Sequence, residues 1–335
     1  MKIRFKQLIV GYLFINMCGC SGAPPFKDAP IKYTPTMMNE IYKQVKTYPE
    51  HPYYSLSFSY SGCAIEIWIN DMVQFGTIDV TGGFSNIPLN IGILNSGIQK
   101  LMIRIYSPYE DKRSLKSDSV TLEVKVEMNN EREDLATSTL YTFKPKKIID
   151  INGKEVYDFD GKNMMEYNLE FNAKVPYNLI GWTKSKDLRK VPDIEQKVKD
   201  FYSNFREKFA SHDSIYFANA MYKKEVEIAQ SLYLSGFSET AKRWNDLLEA
   251  INDEKLYENS MGIFKDIKLK DQKLEFYGDG RVAGLIYKGK VAKNARGVGY
   301  ISKVKNEDGK EYDDFFTFPL YLHIPEGSTE LEIIR

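Results

Sequence analysis

The sequence predicts a multidomain, β-rich chain: an N-terminal β-sandwich followed by an α+β domain. Three observations predict it. The stretch "SVTLEVKVEM" (119–128) alternates strictly, with Val120, Leu122, Val124, Val126 and Met128 on one face and Thr121, Glu123, Lys125 and Glu127 on the other. That period of two is the signature of a half-buried strand. Asn152-Gly153 separates the extended runs "IIDI" and "KEVYDF", the dipeptide that best fits a tight hairpin. From residue 193 the period becomes helical, with Ile194, Val198, Phe201, Phe205 and Phe209 along one stripe.

The elements follow in order. Thr34-Pro35 opens a short amphipathic helix, with Thr34 as cap and Pro35 in the first turn. Met37, Ile41 and Val45 share its apolar face, and Pro49 limits its end. In "AIEIWIN" (64–70), Ile65, Ile67 and Ile69 face one way and Glu66 and Trp68 the other. "KLMIRIY" (100–106) alternates likewise, and "YNLEFNAKV" (167–175) supplies a closing strand. About seven to nine such strands between regular turns argue an Ig- or jelly-roll-like sandwich. The run from Ile65 to Tyr106 resembles the sandwich accessory domains of secreted glycosidases and cell-surface proteins, a likeness that implies a sandwich and no activity.

Beyond it, residues 177–192 read as a linker. Asp213 or Ser214 is expected to cap a second helix that buries Phe217, Met221, Ile228, Ala229 and Leu232 and ends at Gly236. Ser238 is expected to cap a third, with Ala241, Trp244, Leu247, Leu248 and Ile251 as its stripe. Strands return from about 263, joined by turns at Gly278-Asp279-Gly280 and Asp308-Gly309. Three helices before an antiparallel sheet are similar to cone-shaped α+β folds of the SnoaL type. The expected boundaries are 1–19 signal peptide, 20–50 tether and short helix, 51–176 sandwich, 177–192 linker and 193–335 α+β domain.

Charge excludes some partners. Lys plus Arg equals Asp plus Glu, 46 each, and removing residues 1–19 leaves 43 against 46. No basic excess points to nucleic acid, and no polybasic run in the sequence points to anionic lipid headgroups. The three histidines, His51, His212 and His323, are far apart in sequence, which restricts metal and general-base chemistry.

The N-terminus speaks of location. Three cations fall in the first six residues, an apolar run spans Leu8 to Ile15, and small residues follow at Gly19 and Ser21. This is the layout of a secretory signal, too short to be a spanning helix. Met17-Cys18-Gly19-Cys20 resembles the lipobox of bacterial lipoproteins. The resemblance implies that Cys20 receives lipid, becomes the first residue after cleavage and tethers the chain to membrane lipid. Ser21 is not acidic, and the same resemblance then implies the outer membrane. Prolines at 24, 25, 30 and 35 read as an extended tether. Cys63 sits in an apolar strand and reads as a small core residue.

Candidate chemistry is sparse. "GDGRVAG" (278–284) continues as a strand, so it reads as a hairpin and not as a phosphate loop, which needs a helix behind it. His212-Asp213 has no further ligands at metal spacing and reads as an inter-helix loop. Asp158, Asp160 and Glu166 lack an oxygen ligand where Lys162 stands and read as a turn. Asp313-Asp314 and Glu225/Glu227 diverge on their elements and are not preorganised for acid–base work. No cofactor or metal site is expected. Trp68 and Trp182 are the candidate binding residues, through stacking on a sugar or a protein.

These features favour a membrane-anchored, non-enzymatic protein-binding module facing the periplasm or the cell surface. Its layout is similar to that of immunity lipoproteins which neutralise periplasm-delivered toxins such as type VI phospholipase effectors. The alternatives are an envelope or carbohydrate-binding lipoprotein, and a hydrolase with its site in the C-terminal domain.

Overall fold

Alternation along the chain builds two four-stranded antiparallel sheets in the first half of the computed structural model. The described residues are 32–77, 82–107, 114–130, 137–252, 265–266, 271–288, 294–305, 309 and 311–335. The signal segment and Cys20 lie outside them. Helix α1 (Pro35–Asn39) is capped by the Thr34 hydroxyl, which accepts from Met37 N–H, with Pro35 in the first turn, as the sequence predicts. Strands β1 (Tyr53–Ser61), β2 (Ala64–Ile69), β3 (Met72–Gly76), β4 (Gly82–Pro88), β5 (Gly97–Tyr106), β6 (Thr121–Asn129) and β7 (Ser138–Phe143) follow. After them come β8 (Lys147–Ile149), β9 (Glu155–Tyr157) and β10 (Met164–Ala173). One sheet runs β4-β1-β6-β7 and the other β10-β5-β2-β3, while among the described residues β8 and β9 pair only with each other. The inward residues of the two four-stranded sheets, among them Phe58, Ile65, Ile67, Ile103, Val124 and Phe171, form one apolar cluster. Each buried isoleucine there contributes about 1.5–3 kcal/mol relative to exposure. Cys63 is fully buried in it, and burial pushes its thiol up to about 12.

The helices lie where the period changes. α2 (Ile194–Ala210), α3 (Ser214–Ser231) and α4 (Phe237–Asn252) bury the expected stripes, Leu247 and Leu248 only in part. Of the two expected caps, Asp213 takes the role for α3, its carboxylate accepting from Tyr216 N–H at 2.9 Å. Two other ends differ from expectation. α3 stops five residues before Gly236, because Tyr233 itself takes the left-handed conformation at φ 56°. α4 starts at Phe237, and the Glu239 carboxylate reaches back to Gly236 N–H at 3.2 Å.

The C-terminal strands are β11 (Lys265–Asp266), β12 (Gln272–Tyr277), β13 (Val282–Tyr287), β14 (Val298–Lys305), β15 (Glu311–Phe318), β16 (Leu322–His323) and β17 (Glu332–Ile333). They form two sheets, β11-β14-β15 and β12-β13-β16-β17, where the sequence predicts one. Gly297, at φ 100°, turns the chain away from β13 just after an isolated Ile286–Arg296 bridge, so the next edge of β13 is taken by β16. α2 is pinned to this sheet by the buried Tyr202 hydroxyl, which donates to Leu320 C=O at 2.5 Å and accepts from Leu285 N–H at 2.9 Å.

Ile31–Arg335 is a single compact unit. The segment 177–192 is packed within it, with Tyr177, Trp182, Ser185 and Leu188 buried. Among the described residues no helix is long and apolar enough to cross a membrane.

Candidate functional site

Both faces of β2 are buried, and its outer face starts the first candidate site. Trp68 and Trp182 come together here, only 5% and 6% exposed, in a cluster with Met72, Leu94, Tyr277 and Tyr321. This corrects the expectation of a stacking platform: neither indole keeps a free face, because the C-terminal strands cover it. Gly278 explains part of the fit. It sits at φ 55°, and a Cβ there would lie 2.6 Å from Trp182 Cδ1. The "GDG" turn is therefore a seat for Trp182 and the hairpin between β12 and β13. It also docks on the β2–β3 turn, since Gly278 N–H donates to Asp71 C=O at 3.1 Å and Asp279 N–H to the Asp71 carboxylate at 2.9 Å.

Beside the tryptophans lies a chain of alternating charges. Glu66 is 2% exposed and accepts from Arg296 at 2.9 Å, Arg104 at 2.7 Å and the Trp68 indole N–H at 3.2 Å. Arg296 also reaches Glu275 at 3.0 Å and the Tyr277 oxygen at 3.1 Å, and the Tyr277 hydroxyl donates to Glu275. Arg104 continues to Glu166 at 2.7 Å. Both guanidinium carbons stand 5.2 Å from the Trp68 ring centroid, within cation–π range. Burial alone would push the Glu66 carboxyl up, but Arg296 and Arg104 outweigh it and hold it below its ordinary value. Burial likewise opposes the charge on Arg296, and Tyr277, Glu66 and Glu275 more than restore it. Burial, then the neighbouring Glu66, pushes Tyr106 up to about 12. At neutral pH the carboxylate stays ionised, the guanidinium charged and the phenol protonated. Such a set clamps two parts of the chain together and offers no group poised to exchange a proton.

The other predicted residues separate. Asp158 accepts from the Tyr167 hydroxyl at 2.7 Å, Asp160 from Ser117 N–H at 2.7 Å, and Glu166 belongs to Arg104. His212 faces Ile251 C=O at 2.9 Å through Nδ1. His323 is buried against the Ser185 hydroxyl at 2.8 Å.

Sequence reasoning missed the second site, an exposed face at β7 and the β8–β9 hairpin. β7 ends its sheet, and its first five residues are exposed. Leu140 and Tyr141 are 45% and 42% exposed. Next to it, a pocket of about 240 Å³ opens between Ser59, Thr121, Glu123, Lys144, Tyr157 and Phe159. Glu123 and Lys144 pair across it at 2.5 Å. The signal was present in "STLYTF" (138–143), an uncharged strand-forming run with no proline.

Compared with family models, curated proteins and solved structures, the chain matches none. The functional reading therefore rests on these two places. The first is closed and fully paired. The second presents apolar side chains, a strand edge that no other described strand pairs with and a small pocket to solvent, which is what a binding surface needs.

Proposed function

We propose that this chain is a membrane-tethered, non-enzymatic protein-binding module, with a partner segment adding to the edge of β7 that no described strand pairs with. In this reading the two four-stranded sheets around one apolar cluster are a β-sandwich, and Cys20 carries the lipid that holds the chain at the envelope. The observation that supports it is the edge itself. Exposed edges are normally blunted by charge, proline or a bulge that breaks the pairing. "STLYTF" carries neither charge nor proline; its one irregularity is a single-residue bulge at Leu140, between the Tyr141–Val126 and Thr139–Glu127 pairs, and the residues on either side of it keep their register with β6. A strand that invites pairing and is kept uncharged fits recognition by strand addition. The sharper form is an immunity lipoprotein whose partner is a toxin delivered into the periplasm, with a phospholipase as the leading candidate.

The test places a photo-crosslinking residue at Leu140 in the full chain and co-expresses the product of the adjacent gene as the candidate toxin. A crosslinked pair, lost in the Leu140→Lys variant together with protection of the cell, is the expected result. Protection that persists without any crosslink at β7 overturns the edge, and absence of any complex overturns the toxin.

The pocket beside β7 favours carbohydrate binding as a second reading. At about 240 Å³ it is smaller than the ~300–1000 Å³ of drug-sized sites, room for a single sugar ring against Tyr157 with the Ser59 and Thr121 hydroxyls in reach. A glycan array on wild type and Tyr157→Ala tests it, and no response in the wild type removes it.

A further inference from the structure

We propose that the β8–β9 hairpin is a second membrane contact, seating its isoleucines in the acyl boundary of an anionic bilayer. Ile148, Ile149 and Ile151 are 41%, 66% and 99% exposed. Three isoleucines within four positions of a projecting two-stranded ribbon serve no core. Their surroundings name the occupant. Lys144, Lys146, Lys147 and Lys154 are all exposed around them, against Asp150 and Glu155 in the same stretch. Lys147 pairs with Glu155 at 2.6 Å and Lys144 with Glu123 at 2.5 Å, which leaves Lys146 and Lys154 with no ion pair among the described residues. An apolar tip collared by lysines matches acyl chains beneath a layer of negative headgroups.

The backbone is prepared for leaving water. Ile148 pairs with Val156 in the ribbon. Asp150 N–H donates to Lys154 C=O at 2.8 Å and Gly153 N–H to Asp150 C=O at 3.0 Å. The Asp150 carboxylate accepts from Asn152 N–H at 2.9 Å and Lys154 N–H at 2.8 Å. The turn thus satisfies four of its own N–H groups, which lowers the cost of bringing the tip into the interface. A protein partner would need a matching apolar and acidic pocket, whereas an anionic bilayer offers both features everywhere. This contact is independent of how the β7 edge is used and of lipid on Cys20.

The experiment uses the full chain made without lipid attachment, mixed with vesicles of phosphatidylcholine alone or with phosphatidylglycerol in equal parts. Ile151→Trp places a reporter at the tip. The native Trp68, Trp182 and Trp244 are all buried and give a constant background. The expected result is a blue shift with the anionic vesicles that is reversed by salt, and smaller or absent with phosphatidylcholine alone. In co-sedimentation, Ile149→Ser/Ile151→Ser should bind the anionic vesicles about tenfold more weakly or worse. Residues 1–20 are common to every variant, so any lipid affinity of their own cancels in that comparison. Both serines replace exposed side chains, and an unchanged unfolding midpoint checks that the fold is intact. A tip tryptophan that stays in water beside anionic vesicles overturns the proposal. So does equal binding by the serine variant, or a shift produced only by a protein.

Discussion

Glu66 and Arg296 stand 230 positions apart in sequence and 2.9 Å apart in the fold. Their contact joins β2 to the segment between β13 and β14, with Arg104 and Glu275 as flanking charges. Both side chains are almost wholly removed from water, so neither charge tolerates loss of its partner. Arg296→Met leaves Glu66 and Glu275 short of a cation and should lower stability by about 3–5 kcal/mol. The Glu66→Gln/Arg296→Met double variant should lose less than the two single losses added together. Urea unfolding of the four species measures it, and strict additivity would show that the pair does not act as a unit.

His323 sets an acid limit. Burial holds its imidazole down at about 4, from an ordinary 6.5. The unfolded chain therefore takes up a proton from about pH 6.5 downward while the folded chain does not. The stability this group contributes is full above pH 6.5 and lost as pH falls towards 4, on the order of 3 kcal/mol across the window. Glu66 acts in the same direction but lower. Its carboxyl is held below the ordinary 4.5, so its contribution is lost only under that value. Urea midpoints should fall between pH 7 and 5 in the wild type and stay nearly flat in His323→Gln. An equal slope in both would remove His323 as the cause.

Local pattern and remote covering account for what was legible in the sequence. The stripes of α2 and α3, the alternation of β5 and β6 and the turns at Asn152-Gly153 and Gly278-Gly280 follow from spacing and turn chemistry, and the structure has them. Alternation in β2 also separated Ile65, Ile67 and Ile69 from Glu66 and Trp68. It carries no information on whether the second face meets water or a strand from 200 residues away. Arg296 lies in "KNARGVGY" (293–300), which has no period at all, so the clamp was invisible. β7 and the isoleucines of the β8–β9 hairpin were missed for the opposite reason. Apolar strand residues are read as core, and only the fold shows that nothing among the described residues covers them.

Gly278 and Gly153 make a controlled pair. Both have positive φ, 55° and 77°, but a Cβ at Gly278 meets Trp182 at 2.6 Å and one at Gly153 meets nothing within 4 Å. Gly153→Ala should cost only the left-handed backbone, about 1–2 kcal/mol. Gly278→Ala adds overpacking against an indole and should cost about 2–4 kcal/mol, with a change in tryptophan emission. Equal losses and unchanged emission would mean that the turn moves away from Trp182 freely.

Tyr202 tests how α2 is fastened to the sheet. Its ring is fully buried, and its hydroxyl is the shared partner of Leu320 C=O and Leu285 N–H. Tyr202→Phe keeps the ring and its packing but strands one buried acceptor and one buried donor. Each orphaned group costs about 1–3 kcal/mol, so the variant should lose about 2–4 kcal/mol, far more than removal of one oxygen from a well-packed ring would suggest. Hydrogen exchange locates the effect. The Leu285 amide should exchange faster relative to its neighbours in β13, while amides in β5 and β6 keep their protection relative to global unfolding. A wild-type exchange rate at Leu285 would mean that the amide has found another acceptor, and the stability loss should then shrink by about half.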